Sequence, residues 1–503
     1  MNVLGVGALG SREEAVAVLR DGVLAAALER QKLSGAGFDG LVKQALRIAG
    51  LAPADIHQIG VARSASTSSL DQLRDLFPEA PIQLIDHHYA HAASAYFASG
   101  FAAARVLTLD SGDEFTTAEL WTAEDGQLRS ERQMLLPDSV GRLYSRVTEL
   151  LGFHARADEH KVQWLSAAGD NRFVELFASI LGRSWGRMDQ SYFRGPAFSG
   201  KFFRALGLEP SSEIPESLRP HVAAGVQRAV EHYVREMIPP GGRLCLAGGV
   251  FFNVLLVRAL ETAGRWEAVF VQPAAGNTGT ALGAAFAVAP RRQPLATLAL
   301  GPEYQAEEVK QVLENCKLRF RYALTVEEIL ATAIRLLLDN KIVSWMQGRM
   351  EFGPRALGQR SLLASPLDPF ASENLNVYIK HRESFRKFAA AVPAERAADF
   401  FEVTPNARFL ATVGRVREPH RRTFATSILG ADLVRVHTVE QAANPLFHRL
   451  LTDFGAASGL PVLYNTSFNL FGDPLVCTPR DAIRSFYSSG VDALIAGNFV
   501  VEK

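Results

Sequence analysis

Short apolar runs alternate with turn residues along the first part of the chain. Val3–Val6 is one run; Ala15–Leu19 and Val23–Ala27 are two more, separated by Arg20-Asp21-Gly22. Asp-Gly between two apolar runs predicts a hairpin. The pattern then predicts an amphipathic helix over 39–50 and a buried strand at Ile59–Ala62. A helix from His88 to Phe97 follows, then a strand, Val106–Asp110, that ends in an acid. A second hairpin is expected from Thr117–Trp121, turning at Glu124-Asp125-Gly126. Leu244–Ala247 reads as a strand that runs into Gly248-Gly249, with a helix from Phe252 onward. The glycine-bearing turn Ala275–Gly279 leads into a helix of small residues, Ala281–Val288. Pro290–Pro294 is the expected domain junction. Residues 305–340 are helical in pattern, and Ile342–Trp345 opens a second α/β unit. No repeat is visible in the sequence.

Length and charge narrow the classes. At 503 residues the chain suffices for two large domains or about three of roughly 150 residues. Lys+Arg and Asp+Glu are both 53, so the net charge is zero. That balance argues against a nucleic acid as main partner, which calls for a basic face. Cys245, Cys316 and Cys477 lie far apart with no CxxC pair, so neither a zinc knuckle nor a disulfide framework is indicated. Met1–Gly7 has no basic flank before a long apolar run, and no stretch approaches the roughly 18 apolar residues of a membrane span. The expectation is a soluble, cytoplasmic protein without a membrane partner.

Four segments carry candidate chemistry. In Asp86-His87-His88-Tyr89-Ala90-His91, His87 and His91 are four apart and share a helix face. Two imidazoles at that spacing can hold one divalent metal, with strand-end Asp110 as a third ligand. Iron, zinc or manganese would suit such a set. The competing reading is a set of helix-capping histidines bonded locally. The second segment, Met346–Ser361, interleaves Arg349, Arg355 and Arg360 with Gly348, Gly353 and Gly358. Arginine offers a planar fork to phosphate or carboxylate. Lys380–Phe388 is basic again. Asn465-Thr466-Ser467-Phe468-Asn469 follows an apolar strand and could hold a planar polar substrate or be a plain polar turn. Glycines at strand ends, as at Gly248-Gly249 and Gly276, let phosphate approach backbone N–H groups.

Taken together and in order, these segments resemble the ATP-dependent O-carbamoyltransferase family of nodulation-factor, cephalosporin and aminoglycoside carbamoyltransferases. The resemblance spans nearly the whole chain. It includes His87–His91, Leu109-Asp110, Gly141–Ser145, Leu151–Phe153, Asp158–Val162, Gly248–Val250 with Asn253, Gln272–Gly276, Gly348–Gly358 and Asn465–Asn469. It implies an α/β protein of two domains. Residues 1–300 would form an actin/hexokinase-like domain, similar to threonylcarbamoyl transferases, and residues 301–503 a YrdC-like domain. It further implies that the C-terminal domain makes carbamoyl adenylate from carbamoyl phosphate and ATP with Mg2+. The N-terminal domain would then pass the carbamoyl group to a hydroxyl or amine of a small-molecule acceptor. Arg355, Lys380, Arg386, Arg435 and Ser467 match the family's catalytic positions. Gly353, Arg349, Arg382, Asn465, Asn469, Lys161, Gly248, Gly249, Asn253 and Gly276 match its binding positions. His87, His91, Asp110 and Asn277 match its metal site, where the ion is iron or another divalent metal.

The departures cluster in the N-terminal half. The family's Gly-His-Asp-Ser type turn is Ala8-Leu9-Gly10-Ser11 here, and its acidic-basic signature is reduced to Leu28-Glu29-Arg30-Gln31-Lys32. The turn after the strand-end acid is shortened to Asp110–Glu114. Asn277 stands where the family has a metal-binding Asp. Trp164 stands in a turn of small residues. In the C-terminal half, Ser427–Val434 replaces a His-x-Asp-Gly-Thr stretch and Lys387 replaces a proline. Two explanations stay open. Either the acceptor pocket is reshaped, or transfer is lost and the chain uses the adenylate for a different bond or, as a non-catalytic nucleotide-binding subunit, supports a partner enzyme. A homodimer is also open.

Overall fold

Asp21 and Gly22 take φ of 53° and 73°, the left-handed pair that a two-residue hairpin needs. They join Ala15–Arg20 to Val23–Glu29. The computed structural model describes residues 1–33, 35–63, 67–111, 115–383, 386–470 and 472–503, without the side chains of 67 and 68. Gly112–Glu114 of the shortened turn, and Ser384 and Phe385 of the basic run, lie outside the described residues.

Val3–Gly7 pairs antiparallel with the first hairpin arm and parallel with Gln58–Ala62, which pairs parallel with Ile82–Ile85. Numbered in chain order, the sheet runs 3-2-1-4-5. A second sheet repeats the plan. Ala103–Leu109, Thr116–Glu124 and Gln127–Leu135 form an antiparallel meander, again turned by a left-handed pair, Asp125 and Gly126. Arg243–Ala247 and Ala268–Val271 extend it in parallel, so its order is also 3-2-1-4-5. The repeat that the sequence conceals is therefore one of topology.

The two halves exchange helices. His87–Ser99 follows the last strand of the first sheet but packs on Ala103–Leu109 and Arg243–Ala247 of the second. Thr280–Val288 follows the second sheet and packs on Val3–Gly7 and Gln58–Ala62 of the first. The two helices cross each other between the sheets. Small residues permit this. A Cβ on Gly5 would lie 2.1 Å from the Ala281 carbonyl oxygen, one on Gly60 2.3 Å from Ala284 O, and one on Gly283 1.7 Å from Ala90 O. Between the third and fourth strands of the second sheet, the helices Val140–Leu150, Glu159–Ser166, Val174–Leu181 and Arg219–Met237 pack into one apolar core with that sheet.

The C-terminal part is a mixed eight-stranded sheet. Val343–Met346, Arg360–Ala364, Leu463–Ser467 and Ala389–Pro393 lie side by side at its centre. The expected helical stretch 305–340 is two helices, Ala306–Asn315 and Val326–Leu338. Lys317, at φ 54°, breaks the run before the short edge strand Arg321–Tyr322. The α/β class expected from the sequence holds throughout. Among the described residues, no helix is long and apolar enough to cross a membrane.

Candidate active sites

The histidine helix starts beside the end of the second sheet's first strand. Asp86 caps it by accepting a hydrogen bond from Tyr89 N at 3.0 Å. One turn then places His87 and His91 over Asp110. His87 Nε2 lies 3.0 Å and His91 Nε2 3.2 Å from Asp110 Oδ2. The three donor atoms fall within 4.8 Å of one another, as a shared metal ion requires. Burial alone would raise the Asp110 pKa, but hydrogen bonds from His87 and His91, with their charges, hold it well below the usual carboxylate range. Burial lowers the pKa of His91, which is fully enclosed. An ionised carboxylate and an imidazole that burial disfavours protonating are donors a divalent ion needs. His88 is different. Its ring is bonded to Thr108 Oγ1 at 2.7 Å and to the Thr116 carbonyl at 3.0 Å, which ties the helix to the second sheet.

The glycine turns frame this group. Gly248 takes φ 101°, and a Cβ there would meet Leu109 O at 2.1 Å. Gly249 follows at the edge of the acid, with its Cβ direction 3.6 Å from Asp110 Oδ1. Gly276 is pressed against the Phe252 ring, 2.8 Å from where a Cβ would sit. Asn277 gives its amide hydrogen to Glu13 Oε2 at 2.7 Å. Asn253 caps the helix Val254–Glu261 through Leu256 N, and both amide atoms bond to Gln227.

A second charged group lies where the N-terminal and C-terminal parts meet. Arg355, Lys380, Arg382, Arg386 and Arg435 converge there from three segments of the C-terminal part. Lys380 is buried, and its Nζ donates to Ser467 O, Asn469 O and Asn469 Oδ1 at 2.5–2.7 Å. Burial, then Arg382 and Arg386, push its pKa well below the usual lysine value. Arg382 donates to Asn376 Oδ1 and lies over the Phe388 ring. Burial and Arg386 bring it down to about 10. Burial likewise brings half-buried Arg355 down to about 10. Arg435 is 6% exposed, and its Nε and Nη2 have no hydrogen-bond partner. Burial, Arg355 and Arg382 depress it well below the usual range. Asn465 donates to Ala356 O at 3.1 Å, while its Oδ1 is buried without a partner.

One N-terminal helix, Glu159–Ser166, completes the group. His160 Nε2 meets Arg386 Nη2. Lys161 bridges Asp158 at 3.1 Å and Glu383 at 2.7 Å. The Arg435 guanidinium sits 4.9 Å from the Trp164 ring centroid. Burial, then Arg386, Arg355 and Arg435, bring the His160 pKa down to about 3, so its ring is neutral at pH 7.

Residues 64–286 match the family described as the carbamoyltransferase N-terminus, and residues 334–503 the carbamoyltransferase C-terminus. The nodulation protein NolO of Bradyrhizobium diazoefficiens is 32% identical over 438 residues, 83% of this chain and 79% of that protein. This chain belongs to the carbamoyltransferase family. A 3'-hydroxymethylcephem-O-carbamoyltransferase of Amycolatopsis lactamdurans is 28% identical over 392 residues, 74% of this chain and 72% of its own. Among solved structures, the ROK hexokinase of Thermus thermophilus covers 57% of this chain and all of its own at 18% identity, with a TM-score of 0.31. That score is too low for the hexokinase to bear on the activity of this chain.

Within this carbamoyltransferase, the arginine-rich segment divides by role. Arg349 donates to the carbonyls of Ala25, Leu300 and Gly301 at 2.7–3.1 Å, so it ties the two parts of the chain together. Arg360 is buried among the carbonyls of Gln347, Gly348, Gln359 and Pro302. Glu351 is buried too, and its Oε1 accepts from Leu357, Gln359 and Arg360 N. Arg355 alone of the three arginines reaches the cation cluster. The loop that carries it is held from the N-terminal part by the buried Glu29–Lys32 ion pair. Lys32 donates to the carbonyls of Glu351 and Gly353, and Gly353 N donates to Glu29 Oε2. Sequence reasoning did not assign His160, Trp164, Glu29 or Lys32 to the site. Trp164 carried a signal, as a bulky ring three residues after Lys161 in a stretch of small residues.

Proposed function

We propose that the chain is an ATP-dependent carbamoyltransferase working in two steps. In the C-terminal domain, residues 301–503, carbamoyl phosphate and ATP give carbamoyl adenylate. One water is consumed, and phosphate and pyrophosphate are released. In the N-terminal domain, residues 1–300, the acceptor oxygen or nitrogen attacks the carbamoyl carbon, the bond to AMP breaks, and the acceptor proton is lost. The activity in the cephem enzyme's name, a carbamoyl transfer to a hydroxymethyl group, supports a small-molecule hydroxyl as acceptor.

One observation carries this reading. Lys161, Lys380, Arg355, Arg382, Arg386 and Arg435 share a seam with only Asp158 and Glu383 as ion-pair partners among the described residues. Burying uncompensated charge is costly, so such a group suits substrates that bring their own negative charge. ATP and carbamoyl phosphate are such substrates. Arg355, Arg386 and Arg435 would clamp the phosphates and stabilise charge that develops between them. Lys380 holds Ser467 and Asn469 in place, and Asn465 Oδ1 is free to accept from an amide or amino group. His160, neutral, lets Arg386 approach without adding charge.

A divalent metal fits His87, His91 and Asp110, where it would supply Lewis acidity toward a phosphate or carbonyl oxygen. Gly249 lies at the edge of that group, whereas the Gly248 N–H is committed to the Ala275 carbonyl. Asn277 would contribute at most a neutral oxygen. The three free cysteines agree with a reducing compartment, and we place the reaction in the cytoplasm.

The test is incubation with ATP, carbamoyl phosphate and Mg2+, with pyrophosphate release and nucleotide mass as readouts. Pyrophosphate that depends on carbamoyl phosphate, together with a carbamoyl-AMP mass, is the expected result. A folded, ATP-binding protein that releases none would overturn the reading.

A further inference from the structure

The helix Glu159–Ser166 sends three side chains across the seam, and the third meets a charge held by nothing else. His160 shares Arg386 with Glu383, and Lys161 has two carboxylates. Arg435 has no ion-pair partner among the described residues, and its Nε and Nη2 are unpaired. The charges of Arg355 and Arg382 repel it. What faces its guanidinium is the indole of Trp164 at 4.9 Å. The negative face of an aromatic ring attracts a cation, most strongly for tryptophan and when water is excluded. The indole is itself fixed. It is 9% exposed and packs in a small apolar cluster with Val254 and Val413, flanked by Leu255, Leu429 and Leu433.

We propose that Trp164 is a positioning residue for Arg435: the indole of the N-terminal domain holds the guanidinium so that Nε and Nη2 remain available to a phosphate group of the substrate. The inference rests on the reading of the seam as a phosphate-binding site. It makes the activation site a joint product of both domains. An aliphatic side chain of similar size would fill the space under Arg435 but offer no compensation for its charge.

The test uses the full chain and inorganic pyrophosphate as the probe, with binding followed by calorimetry. Trp164→Leu should raise the Kd by about 10-fold or more, while Trp164→Phe stays within about 3-fold. Fluorinated tryptophans placed at position 164 alone keep the shape but drain the ring face. The Kd should climb with each added fluorine at an unchanged melting temperature. In an Arg435→Ala background, Trp164→Leu should have no further effect. A flat fluorine series, additive single variants, or a wild type that does not bind pyrophosphate would each overturn the proposal. The fluorine series remains readable even if Trp164→Leu fails to fold. A rising series in a protein that releases no pyrophosphate from ATP and carbamoyl phosphate would support Trp164's role and remove the reaction proposed above.

Discussion

The His87–His91–Asp110 group and the cation cluster at the seam settle their charge in different ways. The first is closed on itself. Its one carboxylate lies between two imidazoles, and all three come from adjacent elements of the N-terminal domain. The second is open. Its cations outnumber their carboxylates, and the fold tolerates them by other means: carbonyls around Lys380, a neutral imidazole beside Arg386, an indole under Arg435. A closed group stands by itself until a small cation replaces its hydrogen bonds. An open group is under electrostatic tension that a polyanion relieves. Removing a member should therefore act in opposite directions on stability at the two places, while both removals cost activity.

The largest effect is expected at the open site. Arg355→Ala should lower carbamoyl-phosphate-dependent pyrophosphate release by about 10²–10³-fold, as loss of a charge-stabilising group does. It should leave the melting temperature unchanged or higher, because a repelled cation has gone. A lower melting temperature with retained turnover would erase the distinction between the sites.

Asp110→Ala should do the reverse. The buried His91 and the partly buried His87 lose their acceptor, which costs about 1–3 kcal/mol by chemical denaturation of the metal-free protein. Metal binding and carbamoyl transfer should be lost, and pyrophosphate release retained within about 3-fold. Equal loss of both half-reactions would show that the two sites do not divide the chemistry.

A pH dependence also separates the sites, through two histidines. His88, beside the triad, is brought down to about 4 by burial and by His91 and His87. His160 is brought down to about 3 by burial and then by the cluster's arginines. In both cases the unfolded chain binds a proton near 6.5 and the folded chain does not. Their stabilising contribution is complete above about pH 6.5 and is lost as pH falls toward these lower values, by up to about 1.4 kcal/mol per pH unit for each. Denaturation curves from pH 7 to 4 should show this slope. Bound pyrophosphate should lessen it by offsetting the arginines around His160, and His160→Gln should abolish that difference. An identical slope with and without the polyanion would place the anion elsewhere.

What the sequence disclosed was local. The left-handed Asp-Gly pairs, the strand ending in Asp110 and the i, i+4 histidines each depend on residues next to one another, and each was readable. The family match extended that to the arginine framework. Arg349, Arg355 and Arg360 nevertheless look alike in sequence, and only their surroundings separate two carbonyl-bound braces from a guanidinium that has no hydrogen-bond partner among the described residues. Asn253, equally, reads as a polar ligand until both of its amide atoms are found committed to a helix cap and Gln227. His160 and Trp164 are far in sequence from the arginines they meet, so no spacing could bring them together. The doubled sheet was hidden for another reason: strand order depends on apolar pattern and connection, neither of which needs matching residues.

The exchange of helices between the two sheets has a consequence during synthesis. Gly5 leaves the ribosome well before Ala285, which covers it and is made 280 residues later. At roughly 5–20 residues per second, that face of the first sheet stays bare for about 14–56 s. The glycines that let the crossing helix approach so closely also leave a flat apolar surface with little side-chain relief. The nascent N-terminal half is thus the stage at which this chain is most exposed to wrong partners and most in need of a chaperone.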